Sequence, residues 1–438
     1  MSDSETVRVP LQREHSDRNR PGEASSCGRS FGPVGYVLLW FPLSSETFIF
    51  REVKQLREKG LPVRVYTVYG RRTSGQSLEM LSYDGPIERM GLPTAGKILG
   101  AFFRAYRKDP LLVRNLLKRY LFRRMRNLES QGENLLCFFA GFLLAEQIRR
   151  DGISLLHAPW GNGPATAAAV ASRLVGIPFA FTGRAGDIYP EDGLLAEKAR
   201  QAVFIRTNNR ANVSWLQQFC PAGQKSKIHL IYNSLTLSRR TECLCPCTPP
   251  CRVLAIGRFA RTKGFPYLIT AMARLKREHF PVHLTLVGGG SYRRRLLRQI
   301  KELGLQDDID LPGFIPNDRI LQYMENHDML VVPSVVYDNG DRDGIPNVIM
   351  EALSNAMPVI ATDVCGIGEV IRPGETGLLI RQRDATAIAE AVRWTAGHRN
   401  QALAMARRGR ELVFQMFDAE KNIDSLYRLY AGAVSDRS

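Results

Sequence analysis

No stretch of this 438-residue chain stays apolar for the ~20 residues that a membrane-spanning helix needs. The longest candidate, 135–145, suits a buried helix better. Residues 1–30 have no apolar core of a signal peptide, so none is expected. They are rich in Arg, Ser, Glu and Gly and read as a disordered tail. Acidic side chains are in deficit. Against 60 Lys and Arg there are 43 Asp and Glu, which leaves a net charge of +17. Such a surface favours an acidic partner: nucleic acid, anionic lipid or a phosphorylated substrate. Metal-binding spacings are lacking too. No Asp-x-Asp motif is expected at a strand end. The crowded Cys243, Cys245, Cys247 and Cys251 have CxC spacing and two prolines, which match no ordinary zinc pattern. A surface linker with reduced thiols is the plainer reading, and no metal site is expected.

What is present centres on residues 343–362, DGIPNVIMEALSNAMPVIAT. Pro346 suits the first turn of a helix beginning after Gly344. Ile345, Val348, Ile349, Ala352, Leu353 and Ala356 give that helix one apolar face. Residues 358–362 and 329–332 read as strands, so the unit is βαβ and implies a parallel sheet. On the other helical face Asn347 and Glu351 lie one turn apart, with Asp343 on the loop just before. A helix N-terminus can hold an anion through its free N–H groups, and carboxylates beside it can accept sugar hydroxyls. Such a combination suits a sugar nucleotide.

The rest of the chain repeats the αβ alternation. Strands are expected at 35–40 and 63–68, joined by a helix on which Phe50, Val53 and Leu56 are apolar. Ser45 or Thr47 can be its N-cap or a ligand contact. Residues 104–126 hold nine Arg or Lys against the single acid Asp109. Asp109-Pro110 reads as a cap, and Val113, Leu116, Leu117, Tyr120, Leu121 and Leu128 as one helical side. An ordinary solvated basic face and a membrane-surface helix both fit that stretch. Further strands are expected at 154–157, 179–182, 203–207 and 228–232. The loop 182–193, TGRAGDIYPEDG, is dense in functional groups, although Arg184 and Asp187 can simply pair with each other. Periodicity fails at 235–250, the expected domain boundary. A second series opens with a strand at 252–256 and the loop GRFARTKG, which begins at Gly257. It continues with a strand at 283–287 that ends in Gly288, Gly289 and Gly290. The glycine turn alone is a weak signal. Arg258 and Lys263 strengthen it, because two cations beside backbone N–H groups can neutralise a diphosphate leaving group. A last helix is expected over 411–430, with Ile423, Leu426, Leu429 and Tyr430 on one side.

Together GRFARTKG, LVGGG, LPGFIPNDRILQYMENHDMLVVPS and DGIPNVIMEALSNAMPVIATDVCGIGEVI resemble the retaining GT-B glycosyltransferases of family 4, in particular those of bacterial colanic acid and exopolysaccharide synthesis. SSETFIFREV and GIPFAFTGRAGDIY extend the resemblance into the N-terminal half. It implies an α/β protein with two Rossmann-like domains facing a central cleft. The expected bounds are a tail at 1–30, an acceptor-binding domain at 31–238, a nucleotide-sugar domain at 239–415 and a crossover helix at 416–438.

The same resemblance assigns roles. Glu351 falls on the second acid of the family's E-x7-E motif and is expected on the nucleotide ribose. Asp343 falls on the first and is expected on the sugar hydroxyls. Arg258 and Lys263 match the diphosphate pair, with Gly257 and Gly289 beside them. The backbone at Phe314 and Ile315 is expected to hold the base. Gly344, Ile345, Pro346 and Asn347 are expected on the phosphates and sugar. Two departures stand out. Asp343 replaces the usual Glu, and Arg184 stands where many members place a His near the reaction centre. The implied reaction moves a hexose from a UDP- or GDP-sugar to a lipid-linked or polysaccharide acceptor with retention. No cofactor or metal is needed, and the implied place of work is the inner face of the cell membrane, reached from the cytoplasm through anionic lipid. The alternatives are an epimerase on the same fold and a basic nucleic-acid-binding protein. No recognition motif accompanies the charge, so nucleic acid is not an expected partner.

Overall fold

The computed structural model describes residues 32–44, 46–70, 76–121, 123, 125, 127–190, 192–235 and 249–435. The tail, Ser45, Cys243, Cys245 and Cys247 lie outside these residues. The first half builds a sheet from β1 (Val34–Leu38), β2 (Val63–Thr67), β3 (Ile87–Arg89), β4 (Leu155–Ala158), β5 (Phe179–Gly183), β6 (Ile205–Thr207) and β7 (Ile228–Leu230). Its order is β3-β2-β1-β4-β5-β6-β7. The second half builds another from β8 (Cys251–Ile256), β9 (Val282–Val287), β10 (Ile309–Gly313), β11 (Met329–Val332), β12 (Val359–Thr362) and β13 (Leu378–Ile380), ordered β10-β9-β8-β11-β12-β13. Every pairing within both sheets is parallel. Helices cover both faces of such sheets, so the central strands are continuous apolar runs; all five residues of β1 and of β5 are buried. Strand order reverses between β1 and β4, and again between β8 and β11. Loops at the carboxyl ends diverge at those two points and leave crevices. These two Rossmann-like domains face one another across a cleft.

Three boundaries differ from expectation. The helix after Gly344 runs only from Asn347 to Ser354, with Pro346 as its N-cap residue at φ −63°, ψ 128°. The residue before a proline is disfavoured in the helical region, so Ile345 stays outside the helix, which starts after Pro346. The basic stretch does not form one helical side. Helices Ala95–Lys108 and Pro110–Leu116 meet at Asp109, whose carboxylate accepts the Leu112 N–H at 2.9 Å. Val113, Leu116 and Tyr120 are buried, but the helical segment ends at Leu121, and Leu128 is 90% exposed at the start of a separate helix, Leu128–Arg150. The last expected helix is in fact two, Arg399–Met416 and Ala419–Ser435. Asp418 caps the second by accepting the Lys421 N–H at 3.0 Å, and the N–H of Leu235 reaches the Phe417 carbonyl in the gap. The final helix lies on the first domain: Tyr430 Oη is 2.6 Å from Tyr36 Oη, and Asp424 pairs with Lys59 at 2.6 Å.

Candidate active site

The loops after β8 and β9 lace together through their glycines. Gly288, at φ +147°, lies so close to Gly257 that a Cβ would meet its carbonyl oxygen at 1.9 Å. The Phe259 N–H reaches the Gly289 carbonyl at 2.7 Å. Gly289 itself faces open space, and a side chain there would touch nothing within 4 Å. Gly264, at φ +64°, admits no side chain because the Pro333 carbonyl would lie 1.8 Å from its Cβ. That approach brings Lys263 beside the β11 loop. Lys263 Nζ pairs with Asp343 at 3.0 Å, and Ser334 Oγ donates to the same carboxylate at 2.5 Å. Arg258 is exposed on the same loop. Asn347 and Glu351 follow on the helix after the β11 loop. Burial pushes the Glu351 carboxyl up from its ordinary value, and the charge of Arg51, across the cleft, opposes that shift. Phe314 stands 61% exposed after β10, with Ile315 half-buried behind it. The fold thus places Gly257, Arg258, Lys263, Gly289, Asp343, Gly344, Ile345, Pro346, Asn347 and Glu351 around the carboxyl ends of β8, β9 and β11. Phe314 and Ile315 lie at the end of neighbouring β10.

Two Asp-x-Asp triplets do sit near strand ends, contrary to expectation. Asp308 and Asp310 flank the amino end of β10, away from the cleft, where Lys276 and His283 bind them at 2.7 and 2.9 Å. Asp341 and Asp343 lie in the loop after β11. Among the described residues, no group of three or more His, Cys, Asp or Glu is arranged to hold a metal.

Facing this cradle, the first domain contributes the loops after β1, β4 and β5. Arg184 does not extend into the cleft as a free cation. It is 5% exposed. Its guanidinium lies 4.3 Å from the Phe48 ring centroid and 5.5 Å from that of Trp160. It donates to the Pro159 carbonyl at 3.2 Å and to Asn233 Oδ1 at 2.8 Å. Nη2 has no protein partner. Burial and the nearby charge of Arg206 pull its pKa down to about 10. Asp187 does not pair with that guanidinium; its carboxylate accepts the backbone N–H groups of Gly161 and Arg184 at 2.6 and 2.9 Å. Asn233 carries the contact onward, donating to Asn347 Oδ1 at 3.4 Å. Arg184 therefore reaches the helix Asn347–Ser354 through one intermediary.

Several residues here escape reading by sequence. Glu46 is the N-cap residue of the helix Thr47–Glu58, and burial raises its carboxyl pKa against the opposing effects of Trp160 and Arg184. Lys198, 1% exposed, pins the turn after Trp160 through the Gly161 carbonyl at 2.8 Å and Asp192 at 2.7 Å.

Comparison with known proteins places this geometry. Residues 249–412 match the family described as glycosyl transferases group 1. The chain is 26% identical over 413 residues to a putative colanic acid biosynthesis glycosyltransferase, WcaL, of Escherichia coli, covering 88% of this chain and 96% of that one. It is 33% identical over 140 residues to the amylovoran biosynthesis glycosyltransferase AmsK of Erwinia amylovora, covering 32% and 34% of the two chains. Among solved structures, Anabaena HepE in complex with UDP-glucose superposes with a TM-score of 0.66 at 17% identity, over 92% of this chain and 99% of that one.

Proposed function

The chain is a GT-B glycosyltransferase, and from that premise we propose that it moves a hexose from a nucleotide sugar to a lipid-linked saccharide with retention, in the synthesis of an exopolysaccharide or other cell-surface polysaccharide. The observation that carries this reading is the Lys263–Asp343 pair beside exposed Arg258 and the start of the helix Asn347–Ser354. Each partner of the pair is the right group for one half of a sugar diphosphate. A donor entering the cradle exchanges the pair, taking Lys263 onto its diphosphate and Asp343 onto a sugar hydroxyl. Glu351 meets the ribose hydroxyls, and the backbone at Phe314 and Ile315 lies where the base would rest. As the bond from the anomeric carbon to the phosphate oxygen breaks, its electron pair stays on the diphosphate. Lys263, Arg258 and the helix N–H groups stabilise that growing charge. The acceptor hydroxyl bonds to the anomeric carbon on the same face, and its proton passes to the departing phosphate oxygen. Two cations and a helix terminus supply this stabilisation without a metal ion. Turnover should therefore survive EDTA, and loss restored by Mn²⁺ would refute that part. The UDP-glucose complex of the Anabaena neighbour supports the donor class.

The acceptor side adds a membrane surface. Leu99, Phe103 and Leu111 are exposed on the helices Ala95–Lys108 and Pro110–Leu116, among exposed Lys97, Arg107 and Lys108. Part of the basic stretch is spent within the protein, since Arg104 grips Glu146 at 2.8 Å and Arg119 grips Glu197 at 2.9 Å. Each remaining cation near anionic lipid contributes ~1 kcal/mol, enough together with the apolar side chains for reversible docking. Co-sedimentation with vesicles should weaken when Arg107 and Lys108 become Glu, and should weaken with salt as the Debye length shrinks. Binding indifferent to lipid charge would remove the membrane from this reading. For the reaction itself, the test is a thermal-shift screen of UDP-, GDP- and ADP-sugars followed by transfer assays with lipid-linked acceptors. A wild-type protein that binds no sugar nucleotide, or that isomerises one without an acceptor, would overturn it.

A further inference from the structure

The loop between β11 and the helix Asn347–Ser354 is fastened at both ends, to different domains. At its start Arg261 Nη1 donates to Tyr337 Oη at 2.5 Å, and Arg383 Nη2 donates to the Val336 carbonyl at 2.6 Å; all four residues belong to the second domain. At its far end, next to Asp343, Arg342 crosses to the first domain. Its guanidinium carbon lies 4.0 Å from the centroid of the Tyr189 ring. Arg342 has no acidic partner among the described residues; its one hydrogen bond is local, from Nε to the Gly340 carbonyl at 2.9 Å. Tyr189 is itself held. Its ring packs on Trp215 at 5.1 Å, its hydroxyl is 3.5 Å from Cys365 Sγ, and Trp215 Nε1 donates to the Ile188 carbonyl at 2.8 Å. The backbones are close as well: a Cβ on Gly340 would sit 3.2 Å from the Tyr189 carbonyl oxygen.

We propose that Arg342, clamped on the Tyr189 ring, is a positioning residue for sugar transfer, fixing the Asp343 loop of the donor domain against the Arg184–Tyr189 loop of the acceptor domain. The proposal rests on the reading of this cleft as the transfer site. Its logic is geometric. Asp343 must leave Lys263 for a sugar hydroxyl while its loop keeps register with an acceptor held by the other domain. A cation stacked on a ring attracts over a broad face and tolerates small sliding, unlike a hydrogen bond. Because Arg342 adjoins Asp343 in the chain, an error in its place transmits directly to the carboxylate. Misplacement by about an ångström is costly to a transition state and leaves ground-state binding nearly unchanged.

The test uses the full chain with Arg342→Met, Tyr189→Leu, Tyr189→Phe and the double variant Arg342→Met with Tyr189→Leu. UDP serves as the binding probe, and turnover is measured with whichever donor the screen identifies. Arg342→Met and Tyr189→Leu should each lower kcat about tenfold, with UDP affinity and donor KM within about twofold of wild type. The double variant should be no worse than either single one. Tyr189→Phe, which keeps the ring, should stay within about twofold of wild type. Amide hydrogen exchange across 184–190 and 337–346 should quicken in the two single variants and not in Tyr189→Phe. Unchanged kcat in Arg342→Met, or additive losses in the double variant, would overturn the proposal. Raised donor KM with intact kcat would make Arg342 a docking group and overturn it equally. Wild type inert with every donor would refute the transfer reading, and the positioning role with it. An active wild type beside an unaffected Arg342→Met refutes the clamp alone.

Discussion

The two domains each bring a cation and a carboxylate together near the cleft, and the two pairs differ in what surrounds them. In the first domain Arg206 and Glu52 are 1% and 3% exposed. Every neighbour is engaged: Arg206 also donates to the carbonyls of Ile231 and Tyr232 at 3.2 Å, and Glu52 accepts from Tyr36 Oη at 3.0 Å. Burial drives the Glu52 carboxyl upward, but Arg206 and Arg184 outweigh it and hold the pKa below the ordinary value. In the second domain Lys263 and Asp343 are 19% and 16% exposed and open to the cleft. The first pair ties the helix Thr47–Glu58, the segment just after β7 and, through Tyr36 and Tyr430, the last helix into one unit. The second has capacity left over for a ligand. A charge pair in a protein is structural when its partners are complete and functional when exchange costs little, and burial decides between the two.

The contrast has measurable consequences, the largest on folding. Arg206→Met leaves Glu52 buried without its counter-ion and should cost ~3–5 kcal/mol, seen as a fall in the midpoint of urea unfolding. A loss below ~1 kcal/mol would remove the distinction between the pairs, being what an exposed ion pair contributes. Lys263→Ala should do the reverse. Unfolding should hardly change while kcat falls roughly a hundredfold, because the cation matters most as charge grows on the diphosphate. Raised donor KM with intact kcat would reduce Lys263 to docking.

Glu351→Gln should cut turnover at least ~tenfold by losing charge-assisted bonds to the ribose. It should also raise the unfolding midpoint at neutral pH. The folded pKa of Glu351 lies above its unfolded value, so the folded state binds the proton more tightly. Its contribution is fully present below the unfolded pKa and is lost as pH rises through the folded one. Glutamine removes the charge responsible. A variant that is both inactive and less stable would make Glu351 a structural residue.

The smallest effect lies in the acceptor domain. His157 is buried beside Tyr36 and Tyr430, and burial pushes its pKa down to about 3. It folds neutral but ionises near pH 6.5 when unfolded. Its contribution is present above pH 6.5 and declines as pH falls from there towards 3, by up to ~1.4 kcal/mol per pH unit. His157→Gln should flatten the slope of stability between pH 6.5 and 5. An unchanged slope would assign the acid sensitivity to another group.

Legibility from sequence differed between the domains. In the donor domain Arg258, Lys263, Asp343 and Glu351 sit in short contiguous motifs, and the loops that carry them converge because the strand order reverses there. In the acceptor domain the same reading reached Arg184 and missed what holds it. Phe48, Trp160 and Asn233 come from three other segments, and no spacing rule joins them. The expected helical face reaching Leu128 failed because the helical segment begun at Pro110 ends at Leu121 and a separate helix starts at Leu128, capped by Asn127, whose Oδ1 accepts the Ser130 N–H at 2.7 Å.

By itself the sequence determined the apolar strands, the cap at Asp109, the glycines of the β8 and β9 loops and the acids flanking the helix Asn347–Ser354. These depend on backbone preference and hydrophobic period, which act over a few residues. Tertiary structure alone decided that Arg184 is buried on two rings, that Lys263 rests on Asp343, and that Arg342 meets Tyr189. The physical reason is that a charge takes its role from the solvent and partners around it, and those arrive from distant parts of the chain only when the two domains have folded against each other.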